Sequence, residues 1–268
     1  MKLSVVVVVR NDNYGLYFQD RLVCFFKSIQ ECPFDLELVL VEWNPPQENK
    51  SFFEEYKSIL PTNKIIKIIT IPNQIHNKLP NSTHFPVFEY IGKNCGGRHS
   101  SGEYILFTNP DNILPHHLWI ETFNNLSPEC FLRAPRYDIF HNDIINYYDL
   151  TLDEIISKSD IKNKYIYTGE LFCEASGDFL CIKAEDFHKV KGYDEGFTYS
   201  HFDSAFLRKL THHQIHQTVL NNCTYHIDHS RPNLKKANDL NLMTRSVDHT
   251  YHDNWGLVNE LVEINLYK

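Results

Sequence analysis

Residues 104–115 read YILFTNPDNILP: two apolar runs parted by two amides, a proline and the carboxylate of Asp111. Tyr104 to Phe107 sets aromatic and branched apolar side chains in an unbroken row, the mark of a strand covered on both faces. Asn109, Pro110, Asp111 and Asn112 are turn formers that end it. A carboxylate just past a buried strand is either part of an Asx-type turn or an oxygen ligand presented at the rim of a sheet. The rest of the chain supplies the context for that choice.

Outward from this stretch, strands and helices alternate. Leu3 to Val9 is a β-branched run bounded by polar residues, Leu36 to Val41 (LELVLV) is a second run cut by WNPP, and Ile65 to Ile71 is a third. Between them, Asp20 to Gln30 places Leu22, Phe25, Phe26 and Ile29 at helical spacing, and Phe52 to Leu60 and Phe88 to Ser101 also read as helices. The alternation predicts an α/β fold with a Rossmann-like, mostly parallel central sheet flanked by helices, in which ligands sit at the carboxyl ends of the strands. The loops RNDN, EWNPP and TNPDN each follow a strand, so all three fall on one rim. Beyond Pro115 the pattern is mixed: helix plus surface loop over Asp149 to Tyr165, strand over Gly177 to Ile182, helices over Ala184 to Lys189 and Asp203 to Leu210, and a strand over Thr224 to Ile227. The residues after Arg231 are polar and read as a tail or lid.

A chain of 268 residues suffices for one large α/β domain. A net charge of -8 without a basic block argues against a nucleic-acid partner. Seven scattered cysteines with no CxxC pair point to a reducing compartment rather than a disulfide framework or a cysteine zinc site. The opening MKLSVVVVVRND is too short in its apolar run for a signal peptide, and no segment reaches the ~20 apolar residues of a membrane span. A soluble, cytoplasmic protein without a transmembrane segment is expected. GxGxxG, GxxxxGK[ST] and GxSxG are all missing, and only ten glycines are present. A phosphate on this rim must therefore be held by a metal or by side chains. Mg²⁺ and Mn²⁺ take oxygen ligands and use as few as one or two carboxylates, a role that suits Asp111.

The run KNCGGRHSSGEYILFTNPDNILP resembles the segment of family 2-like glycosyltransferases of the GT-A fold in which a helix with an Arg-Asn-x-Gly-like element leads through Gly-Glu-Tyr into a strand ending in Asp-x-Asp. Lys93, Asn94 and Gly96 match the first element, Gly102, Glu103 and Tyr104 the turn, and Asn109-Pro110-Asp111 the last. LSVVVVVRND looks like the first nucleotide-binding strand, VLVEWNPP like the second, and GDFLCIKAEDFHKVKGYDEGF like the acceptor-side segment, so the similarity spans roughly residues 3 to 230. RNDNYG, EWNPP and TNPD mark a divergent branch. The resemblance implies one catalytic domain over residues 1–230, with a nucleotide-binding half to about 115 and an acceptor-binding half after it; residues 231–268 would pack on it. It also implies transfer of a sugar, with inversion, from a nucleotide-diphosphate sugar of the UDP type to a hydroxyl of a glycan or other acceptor.

Carried over, the resemblance puts Arg10, Asn11 and Asp12 at the base and ribose, Glu42 as acceptor of a hydrogen bond from the base, and Asn109 at the ribose in place of the usual aspartate. Lys93, Asn94 and Arg98 fall on the nucleotide-side helix; Lys93 and Arg98 are candidates for the diphosphate, and a solvated helix face is the plain alternative for Arg98. Asp111 becomes a direct ligand of Mn²⁺ or Mg²⁺. In YHIDH, His226 and Asp228 share one strand face while His229 falls on the other or on the following turn. One of these histidines would complete the metal shell, with His226 preferred and a core histidine the alternative. Asp203 in YSHFDSAFLRKL is the expected base; matching Lys209 to the family's helix arginine selects it, whereas matching Arg208 would put Phe202 there, and an N-cap is its plain alternative. Asp178 is expected to bind an acceptor hydroxyl, while Asp194 and Glu195 set a turn. A nucleotidyltransferase and a degenerate nucleotide- or sugar-binding domain are the competing classes.

Overall fold

The structure is a computed structural model that describes residues 2–142, 145–197, 201–231 and 254–267. Four parallel strands carry the nucleotide-side half: β1 (Leu3–Val9), β2 (Leu36–Trp43), β3 (Ile65–Ile71) and β4 (Tyr104–Thr108), adjacent in the order β4-β1-β2-β3. The helices between them are α1 (Phe18–Glu31), α2 (Phe52–Tyr56), α3 (Asn73–His76) and α4 (Glu89–Arg98). Then come β5 (Asn112–Ile113), α5 (His116–Asn124), β6 (Cys130–Arg133), β7 (Arg136–Phe140), α6 (Leu152–Lys158), β8 (Ile161–Tyr165), β9 (Phe179–Lys183), α7 (Ala184–Lys189), α8 (Phe202–His212), β10 (His216–Val219) and β11 (Thr224–Asp228). A short 3-10 turn at Trp255–Leu257 precedes β12 (Glu263–Tyr267).

The main sheet has the order β10-β6-β9-β4-β1-β2-β3-β12, in which only β9 and β12 run against the rest. Alternate side chains of β1 feed two cores, as the strand pleat requires. Val5, Val7 and Val9 pack with Phe25, Phe26 and Trp119, while Val6 and Val8 pack with Ile91, Phe187 and Phe206. α4 lies unusually close to the sheet because of its glycines: a Cβ at Gly96 would fall 2.5 Å from a Val6 methyl, and one at Gly92 would fall 2.8 Å from Val8. The resembling element KNCGG thus has a packing role.

A smaller sheet, β5-β11-β7-β8, stands beside the rim. In it His226 pairs with Asn112 on one side and Asp138 on the other, and Ile227 N donates to Asp111 O at 3.0 Å. This ladder brings the TNPDN loop and the YHIDH strand together across 115 residues of chain, from Asp111 to His226. Residues 232–253, most of the expected tail or lid, lie outside the described residues. Residues 254–267 return to the main domain: Arg98 donates to Trp255 O at 3.2 Å with its guanidinium 4.4 Å above the indole, and β12 pairs with β3. No helix among the described residues is long and apolar enough to cross a membrane.

Candidate functional site

A cleft of about 550 Å³ opens where β1, β4 and β11 end. Its chemical centre is Asp111, which is buried beside His226 and His229; one carboxylate oxygen and one nitrogen from each ring lie within 4.8 Å of one another. His229 Nε2 is 2.9 Å and His226 Nε2 3.7 Å from Asp111 Oδ2, and Arg21 Nη1 is 3.6 Å from the same oxygen. Both histidines therefore converge on Asp111, where the sequence offered one or the other. β11 ends at Asp228, so His229 escapes strand alternation and turns back toward the cleft.

The donor chemistry fits a divalent cation. His229 Nδ1 donates to Ser230 O at 2.8 Å, and His226 Nδ1 lies 3.1 Å from Asp138 Oδ1. A neutral imidazole has one N–H, so both rings with these partners present bare Nε2 atoms to a carboxylate, an arrangement that calls for a cation or a proton between them. Asp111 Oδ1 is also buried without a hydrogen-bond partner. Burial disfavours the charge on Asp111, yet His226 and His229 outweigh it and hold the carboxyl well below its usual range. Burial likewise opposes charge on His226, but Asp111, Asp138 and Asp178 lift its pKa to about 9. Without a metal, a proton takes the place between these groups.

Arg10, Asp12, Asn109, Asp178 and Asp203 also line the cleft. Arg10 Nε donates to Asn44 O at 2.8 Å, its Nη1 pairs with Asp12, and the residue borders a second, polar hollow of about 640 Å³ lined by Asn44, Asn73, Asn77 and His84. Asn109 Nδ2 donates to Asp178 Oδ1 at 3.1 Å, Asn112 donates to the same oxygen at 3.2 Å, and Asp178 Oδ2 receives Arg136. Asp203 is half-buried in the first turn of α8, whose N-cap is His201; its Oδ1 accepts from Ser204 N at 2.8 Å. It is therefore not the cap of its helix.

Five expected contacts do not line the cleft. Asn11 Oδ1 accepts from Tyr56 at 3.0 Å and its amide donates to Lys50 O, bracing a loop. Glu42 is buried and accepts from Phe52 N at 2.7 Å and Thr70 Oγ1 at 3.2 Å, so its carboxylate caps the start of α2 rather than facing a base; burial first, and Glu263 after it, raise its pKa against these hydrogen bonds. Asn94 ties α4 to the GYDE turn through Tyr193 N, Tyr193 O and Glu195, each at 2.8 Å. Arg98 is held by Trp255. Lys93 lies beneath the floor, donating to Asn109 at 2.9 Å and Gly177 O at 2.8 Å, with Glu89 at 2.7 Å.

Three charged residues escaped the sequence reading. Arg21 is 1% exposed on α1, donates to Leu16 O at 3.0 Å, and supplies a fixed positive charge near Asp111. Arg136 Nε is 2.9 Å from Asp138 Oδ1, and its guanidinium stacks 4.6 Å from the Tyr165 ring. Asp138 is the third. The alternation in RYDIF, with charges at its inward positions, is the one local sign of the last two.

No family model matches the chain, and no curated protein does. Among solved structures it is similar to S. aureus TarS residues 1–349, at 14% identity and TM-score 0.57 over 85% of this chain and 60% of that one. It is also similar to the same protein in complex with UDP-GlcNAc, at 12% identity and TM-score 0.59 over 88% and 61%. In complex with UDP the values are 14% and 0.55 over 85% and 61%. The chain thus spans about three fifths of the length of these structures. At such identity the likeness is one of architecture. The chain has a GT-A-type glycosyltransferase fold.

Proposed function

We propose that the chain is a metal-assisted glycosyltransferase that moves a sugar from a UDP-type nucleotide sugar to a hydroxyl of a glycan or other acceptor, with inversion. The observation that carries the reading is the convergence of Asp111, His226 and His229 at the strand-end rim of a cleft that also holds Asp203. The UDP and UDP-GlcNAc complexes of TarS, which shares the fold, support the donor class.

In this reading Asp111, His226 and His229 hold Mn²⁺ or Mg²⁺, which supplies Lewis-acid stabilisation of the charge on the departing diphosphate. Two imidazoles favour Mn²⁺ over Mg²⁺, which prefers oxygen. Arg10 and Asp12 bind the nucleoside end, which extends toward the polar hollow beyond Arg10. Asp203 takes the proton of the acceptor hydroxyl as that oxygen attacks the anomeric carbon. Asp178 has about four acceptor positions, three of them occupied by Asn109, Asn112 and Arg136, so one is left for a second acceptor hydroxyl. Lys93 keeps Asn109 and Gly177 in place below. Holding both substrates in line supplies much of the remaining acceleration.

Calorimetric titration of UDP, GDP and CDP, with and without Mn²⁺, tests the reading on wild type and Asp111→Ala. Metal-dependent binding of one nucleotide, lost in the variant, supports it; no binding under any condition refutes it. Transfer from the matching nucleotide sugar to a hydroxyl acceptor should fall by a factor of 100 or more in Asp203→Asn while nucleotide binding stays within about twofold. Binding without hydrolysis or transfer in wild type would assign the degenerate binding class instead.

A further inference from the structure

We infer that Asp138, braced by Arg136 and Asn163, is a positioning residue that fixes His226 as the Nδ1–H tautomer and so presents Nε2 to a divalent cation at Asp111. This rests on the metal reading of the site and adds residues outside the ligand set.

The geometry is built into the smaller sheet. Asp138 on β7 and His226 on β11 are direct partners in a parallel ladder, so backbone register alone sets the two side chains abreast. Asp138 is 1% exposed; donors and cations lie against it, and a carboxylate oxygen of Asp228 lies within 4.8 Å of it. His226 Nδ1 and Arg136 Nε lie 3.1 and 2.9 Å from Oδ1, and Asn163 Nδ2 lies 3.2 Å from Oδ2. Arg136 is held in turn by Asp178 and by the Tyr165 ring. The carboxylate therefore has little freedom to turn away from His226.

An ionised carboxylate is an acceptor only, and the partner it selects on a neutral imidazole is an N–H. With Nδ1–H directed at Asp138, the lone pair belongs to Nε2, on the Asp111 side. The opposite tautomer would set two acceptors against each other at 3.1 Å and point a hydrogen at the cation position. Carboxylate partners of this kind on ligating histidines typically change metal affinity by 10–100-fold when removed. A carboxylate present only to neutralise Arg136 would have no such effect.

The test measures Mn²⁺ affinity of the full chain by calorimetry for wild type, Asp111→Ala and Asp138→Asn, with thermal unfolding of each. The amide in Asp138→Asn keeps the shape yet can offer an N–H to Nδ1, so affinity should fall about 10–100-fold with the fold intact. A folded Asp138→Asn protein that binds within twofold of wild type overturns the inference while leaving the metal site standing. Should that variant not fold, nitrogen-15 NMR of wild type with Zn²⁺ decides. A retained Nδ1–H on His226 supports the assignment, and a retained Nε2–H overturns it. Wild type that binds neither Mn²⁺ nor Zn²⁺ removes the metal site and this inference together.

Discussion

Mn²⁺ binding should weaken about a hundredfold between pH 8 and pH 6. The perturbation is proton competition at His226, whose pKa of about 9 follows from Asp111 and Asp138 prevailing over burial. A metal takes only the neutral imidazole, so binding must displace that proton. With a pKa of about 9, roughly one molecule in ten is ready at pH 8 and roughly one in a thousand at pH 6, or about 1.4 kcal/mol per pH unit. Calorimetry in two buffers of different ionisation heat gives both the dissociation constant and the protons released. His226 should contribute about one proton per ion at pH 7. In His226→Gln the overall affinity should drop and the pH slope should shrink. An affinity that stays flat from pH 6 to 8, with no proton released, would refute the placement of His226 as a ligand held by two acids.

The metal-free protein should lose stability as pH rises. The folded pKa of His226 exceeds the ordinary histidine value of 6.5, so its contribution is complete below about pH 6.5 and is lost as pH passes through about 9. The amount is roughly 3 kcal/mol, the same interaction that lowers Asp111 rather than an addition to it, and urea titration with a chelator at the two ends of that window reads it. Glu42→Ala should cost about 1–3 kcal/mol by orphaning Phe52 N, and should leave UDP affinity within about twofold; a large loss of UDP affinity would return Glu42 to the nucleotide site. Arg133 is fully buried and donates to the carbonyls of Phe172, Glu174, Ser176 and Phe179, so Arg133→Met should cost more than about 3 kcal/mol; melting within a few degrees of wild type would contradict that role.

The sequence reading was strongest where burial is two-sided. Leu3–Val9, Ile65–Ile71 and Ala184–Lys189 form with the bounds their patterns predict. Beyond Pro115 the signal fades for identifiable reasons. β8 is the polar, exposed segment IKNKY, which has no alternation to read and, among the described residues, pairs only with β7, across the intervening α6. β7 hides two charged residues in its inward positions, and β5 has two residues. The positions of Asp111 and His226 at the cleft were legible because strand ends and late-strand histidines stand out locally. Arg21 was not, since an arginine on a helix reads as solvent-facing until the Tyr14–Leu16 turn and Asp111 are seen to close over it. Glu42 and Asn94 show the reverse: residues at rim positions whose side chains are consumed by holding the scaffold.

The outermost strand of the main sheet has a consequence for the order of folding. β3 is joined on one edge by β2, which precedes it closely in the chain, and on the other by β12, close to two hundred residues later, with Ile264 opposite Ile69. Closing so long a loop costs entropy that must be met before the ladder returns anything. As the chain leaves the ribosome, β1 to β4 can assemble while the outer row of N–H and C=O groups on β3 stays open to pairing with any passing strand. Arrival of Trp255 on α4 tethers residues 263–267 near that edge and makes the last pairing local. A chain ending before Trp255 should therefore retain the rim and cleft residues and yet aggregate through β3.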